Sequence, residues 1–125
     1  MKLNHLNLCV PDVIEARAFF EKFFGFRCLD TKGGDRIAVL EGEGGFTLVL
    51  TNIDRGAPQE YPADFHFGFI LDDPECVHRV YQQLREGGVE PGHEPRAMRG
   101  SLIFYCRILG GILLEVSAPL PDRSL

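Results

Sequence analysis

Polar and apolar residues alternate at the start of the chain. Leu6, Leu8 and Val10 interleave with His5, Asn7 and Cys9, the period of a strand with two distinct faces. Pro11-Asp12 ends that strand, and Asp12 is placed to cap the element that follows. Over residues 13–24 the spacing changes. Ala16, Phe19, Phe20 and Phe23 recur at helical intervals, and Gly25 stops the helix. Strands are then predicted near residues 27–31, 35–41 and 46–52, parted by Gly33-Gly34 and by the glycine-rich stretch 42–45.

The second half repeats this plan. Residues 65–71 read as a strand, and Asp72-Asp73-Pro74 opens a helix with proline at an early position, where its missing N–H costs little. Val77, Val80, Tyr81 and Leu84 form the helical stripe, and Gly87-Gly88 ends it. A short strand is predicted at residues 89–90. Residues 91–100 read as a loop carrying His93, Glu94, Arg96 and Arg99, and residues 102–107 and 112–117 read as closing strands. The two copies span about residues 1–53 and 64–119. The polar, Gly- and Pro-punctuated stretch 54–63 is the linker.

The copies also match residue by residue. His5 to Asp12 reads against His66 to Asp73, and Gly44 to Thr51 reads against Gly110 to Ser117. Glu115 therefore stands where the first copy has Val49. His5, His66 and Glu115 form a two-His, one-carboxylate set, the donor type that holds a divalent metal on one face and leaves other positions open. If the greasier face of each strand meets the helices, His5, Asn7 and Cys9 lie on the other face. By the same count His66, Glu115, Tyr105 and Arg107 lie away from the helices. Imidazole nitrogen and carboxylate oxygen suit Fe, Mn, Ni, Co or Zn without choosing among them.

Composition narrows the function classes. The 125 residues are 45% hydrophobic and 25% charged, ordinary for a globular domain long enough to bury a core. A net charge of −5 with no basic run argues against nucleic acid as a partner. No apolar stretch approaches the roughly 18 residues that span a bilayer, so no membrane partner is expected. The N-terminus carries no charged-then-apolar leader pattern. Cys9, Cys28, Cys76 and Cys106 are scattered without a CxxC spacing, which reads as reduced thiols in a cytoplasmic protein.

At these residues the chain resembles the vicinal oxygen chelate superfamily, which includes glyoxalase I, fosfomycin-resistance metalloenzymes, extradiol dioxygenases and metal-free bleomycin-resistance proteins. The resemblance covers about residues 1–119. It implies an α+β fold of two βαβββ modules, whose curved mixed sheets form a cleft. It implies a small-molecule substrate and a homodimer. It maps the family's metal ligands to His5, His66 and Glu115, and a substrate-reaching tyrosine, ten residues before the glutamate, to Tyr105. Asn7 is then placed to orient substrate and Arg107 to pair with an anionic group, while the metal acts as a Lewis acid. A general base is unassigned, since Glu41 and Glu43 lie in the first copy without parity support. Glyoxalase I carries a fourth ligand where this chain has Val49. The fosfomycin enzymes carry a threonine where it has Asn7. The family's turn before the last strand is Ile108-Leu109-Gly110-Gly111 here.

Three functions remain in view. The first is a metal-dependent enzyme performing ring cleavage, an isomerase or lyase step, or thiol addition. The second is a metal-free protein that sequesters a drug or metabolite. The third is a regulatory domain whose ligands survive without turnover. Plainer roles stand beside these. The cluster Phe19, Phe20, Phe23, Phe24 and Phe26 reads as core or dimer seam, and Cys9 as packing. His78 and His93 read as exposed, and Arg96 and Arg99 as solvated or as a lid over an anion.

Overall fold

Alternation in the sequence becomes alternation in burial. In β1 (His5–Cys9) Leu8 is buried while His5, Asn7 and Cys9 are exposed. The computed structural model describes residues 1–53 and 60–121, so most of the predicted linker, residues 54–59, lies outside the described residues. After β1 come α1 (Val13–Phe24), β2 (Arg27–Lys32), β3 (Ile37–Glu41), a single 3-10 turn at Glu43–Gly45, and β4 (Thr47–Thr51). The second series is β5 (His66–Ile70), α2 (Pro74–Glu86), β6 (Arg96–Met98), β7 (Ser101–Ile108) and β8 (Ile112–Pro119).

Both helices start and stop where the sequence demands. The Asp12 carboxylate accepts the Glu15 N–H at 3.0 Å and the Asp73 carboxylate accepts the Cys76 N–H at 3.2 Å, satisfying helix donors that have no partner of their own. Pro74 occupies the first turn of α2. Gly25 closes α1 at φ 68°, a left-handed conformation that a side chain would strain.

The chain divides into two units, Met1–Glu60 and Tyr61–Leu125. Each is β-α-β-β-β and holds one mixed four-stranded sheet, in the orders β1-β4-β3-β2 and β5-β8-β7-β6. In each, the first strand runs parallel to the last, and the remaining neighbours are antiparallel. The helix covers one face. In the first unit α1 packs on β3 and β4, burying Phe20 against Leu40, Leu48 and Leu50. In the second, α2 packs on β7 and β8, burying Val77 and Leu84 with Phe104, Leu114 and Val116. Phe19 and Phe20 meet edge-on at 5.4 Å, placing those two members of the phenylalanine cluster in the core.

Two expectations change. No strand forms at residues 89–90; the strand lies inside the predicted loop, as β6. Pro91 has no N–H for a ladder, whereas the turn Arg99-Gly100, with φ of 52° and 77°, folds β6 back onto β7. The stretch read as linker also gains structure at its end, where Tyr61 stacks on Phe65 with centroids 4.7 Å apart.

Candidate metal centre

Register in the second sheet sets out the face away from α2 row by row. One row joins His66, Leu113 and Arg107, and the next joins Gly68, Glu115 and Tyr105. His66 and Glu115 are thus diagonal neighbours on adjoining parallel strands, and His66 Nε2 stands 3.7 Å from Glu115 Oε1. Both remain reachable, with side chains 46% and 21% exposed. The other ring nitrogen, Nδ1, lies 2.9 Å from the Asp64 carbonyl oxygen. A carbonyl only accepts, so Nδ1 carries the proton in that bond, and a neutral ring then presents the Nε2 lone pair to Glu115. Anchoring the far nitrogen on a main-chain oxygen is how ligating histidines are held in register.

Tyr105 faces Glu115 across β7 and β8. Its ring meets His66 edge-on at 6.1 Å. Hydrogen bonding of the phenol toward the Glu115 carboxylate, with burial and the carboxylate's negative charge, pushes it above the ordinary tyrosine value, while Arg99 and Arg96 pull the other way. Gly68 occupies the opposite flank of Glu115. A Cβ there would strike the Glu115 carbonyl oxygen and lie 3.0 Å from its Cβ, so the absence of a side chain keeps this row open. Arg107 stands at the exposed end of the face. Its guanidinium donates to the Gly111 carbonyl at 3.0 Å and the Ala63 carbonyl at 2.9 Å, tying the β7–β8 turn to the segment leading into β5.

The first unit carries the related face. Its rows join His5, Thr47, Glu41 and Arg27, then Asn7, Val49, Val39 and Asp30. His5 and Asn7 are exposed. The Asn7 side-chain oxygen accepts the Thr51 hydroxyl at 3.0 Å. Val49 stands at the place that Glu115 holds in the second unit, and an isopropyl group offers a metal nothing. Glu41, which parity left unsupported, shares the His5 row and pairs with Arg27 at 3.0 Å. Among the described residues no three His, Cys, Asp or Glu side chains gather into one group within the chain. His66 and Glu115 meet, and His5 belongs to the other unit.

One residue was missed. His93 is half-buried rather than exposed, and its ring lies 6.2 Å from that of Tyr105. Its contact with Tyr105 spans β6, and no local pattern in the sequence marks it.

A family model described as Glyoxalase/Bleomycin resistance protein/Dioxygenase superfamily matches residues 2–116. The chain belongs to this superfamily. A possible glyoxalase from Bacillus cereus is 39% identical, with a TM-score of 0.80 over 93% of this chain and 97% of that one. The superfamily fold recurs in a lactoylglutathione lyase from Agrobacterium tumefaciens at 20% identity and TM-score 0.75, covering 94% and 92% of the two chains. It recurs again in a genomically encoded fosfomycin resistance protein from Listeria monocytogenes at 21% identity and TM-score 0.77, covering 100% and 98%. Among curated proteins none matches the chain. Among the described residues no helix is long and apolar enough to cross a membrane.

Proposed function

We propose that this superfamily member is a metal-dependent enzyme that chelates a small oxygenated substrate on a divalent ion. Its ligands on this reading are His66 and Glu115, completed by His5 from the same chain or from a second copy. One observation carries the reading. His66 donates a hydrogen bond from Nδ1–H to the Asp64 carbonyl and turns Nε2 toward a carboxylate 3.7 Å away. Nitrogen and oxygen donors side by side, one of them pre-oriented, suit an ion of the Fe, Mn, Ni, Co or Zn class.

Such an ion, when bound, supplies Lewis acidity to a substrate oxygen. The protein's own groups do the rest. The Tyr105 phenol, raised above its ordinary value, is protonated near neutral pH, where it serves as a hydrogen-bond or proton donor and not as a base. Asn7, with its carboxamide oxygen tied to Thr51, orients the substrate. Arg107 offers the N–H groups left over from its two carbonyl bonds to an anionic substituent. The reaction classes consistent with these groups are ring cleavage, an isomerase or lyase step, and thiol addition. The working form is a homodimer in the cytoplasm.

A second reading is metal-free sequestration of a drug or metabolite. It is favoured by Val49, which leaves the first unit without a carboxylate at the place Glu115 holds in the second. Metal analysis with affinity measurement separates the two, on wild type beside His66→Ala and Glu115→Ala. The enzyme reading expects about one tightly held divalent ion per chain, lost in both variants. Failure of the wild type to hold Fe(II), Mn(II), Ni(II) or Zn(II) would remove it and leave sequestration.

A further inference from the structure

The sheet edge beside Tyr105 is built in an unusual way. β6 pairs with β7 through Arg96↔Ile103, Ala97↔Leu102 and Met98↔Ser101. Continuing that register by two residues would place Glu94 opposite Tyr105. That rung does not form: β6 begins at Arg96. The His93 imidazole fills the place instead. Its Nε2 accepts the Tyr105 N–H at 3.3 Å, and its Nδ1 lies 2.8 Å from the Glu94 carbonyl, to which it must donate. The ring therefore bridges the donor and acceptor that the missing rung would have joined, in one fixed neutral tautomer.

This arrangement does more than satisfy two main-chain groups. The bridged residue is the one that stands directly opposite Glu115 across β7 and β8. Its ring lies 6.1 Å from that of His66 and 6.2 Å from that of His93. An ordinary ladder rung would fix only the backbone of Tyr105. A histidine rung fixes the backbone and packs against the phenol ring as well.

We propose that His93 is a positioning residue that sets the Tyr105 phenol beside Glu115 by standing in for a rung of the β6–β7 ladder. The proposal rests on the reading of Tyr105 as the donor at this site. His93 itself does not reach the reacting atoms.

The test uses near-ultraviolet circular dichroism of the metal-free protein. The chain has three tyrosines and no tryptophan, so subtracting the Tyr105→Phe spectrum isolates the Tyr105 band. His93→Ala is expected to lose most of that band with the far-ultraviolet spectrum unchanged. His93→Gln, whose amide carries both an acceptor and a donor, is expected to restore it. His93→Leu keeps bulk without an acceptor, and is expected to lose the band; it serves if the alanine variant fails to fold. A Tyr105 band that survives in the leucine or alanine variant would overturn the proposal, as would a folded glutamine variant that lacks it. No sample contains metal. A failure here therefore leaves the His66–Glu115 reading standing, and a protein that binds no metal leaves this result standing.

Discussion

Gly68→Ala should damage both the fold and the candidate site. Gly68 lies on β5 directly opposite Glu115, on the face shared by His66 and Ile70. A methyl group there meets the Glu115 carbonyl oxygen and sits 3.0 Å from both the carbonyl carbon and Cβ. The obstruction is mainly backbone, so no side chain can swing aside, and β5 and β8 must part. Overpacking of this kind costs about 1–3 kcal/mol. For a chain of this length each kcal/mol lowers Tm by about 3–5 °C, which gives a fall of about 3–15 °C. The displacement also moves the Glu115 carboxylate relative to His66, so Ni(II) affinity should fall by about tenfold or more, equivalent to about 1.4 kcal/mol. Gly92→Ala is the control, because a Cβ there meets nothing within 4 Å, and its effect should stay within about 0.5 kcal/mol. Thermal melts and calorimetric Ni(II) titration of the three proteins decide the matter. A Gly68→Ala protein that melts and binds Ni(II) like wild type would refute the steric argument.

Three further outcomes are expected. Light scattering should return about twice the 14.0 kDa chain mass, as a symmetric dimer requires; a monomer at all concentrations would end the homodimer proposal. Alkylation near neutral pH should label exposed Cys9 well before Cys106, whose thiol is pushed up by burial and so forms less thiolate; peptide mapping showing equal rates would contradict this. The raised Tyr105 phenol contributes stability that is fully present below the ordinary tyrosine value of about 10 and is lost as pH rises through its folded value. Tyr105→Phe should remove that component from alkaline unfolding curves, and identical curves would rule it out.

Much of the architecture was legible because it rests on local rules. The Asp12 and Asp73 caps, the Gly25 stop and the alternation in β1 and β5 each depend on residues a few positions apart. Strand parity alone put His66 and Glu115 on one face, and the ladder between β5 and β8 made them neighbours. The misreadings fall where distant residues decide. β6 carries Arg96 between Pro95 and the Arg99-Gly100 turn and reads as loop; it is a strand because that turn returns it to β7. His93 looked solvated because its partner lies on the far side of that hairpin. Glu41 has no parity support in the sequence, and the β3–β4 register places it on the His5 row.

The parallel pairing of the first and last strands has a consequence for how the protein is made. Among the described residues of the second unit β5 bonds only to β8, so this pairing waits until synthesis has passed Ile112. Closing that pair spans nearly the whole unit, and such non-local contacts form late because a long loop must be ordered first. His66 meets Glu115 only at this step. The pair is therefore a late-forming mark of completed folding, and a nascent chain stalled short of Glu115 exposes His66 with no carboxylate partner on β8.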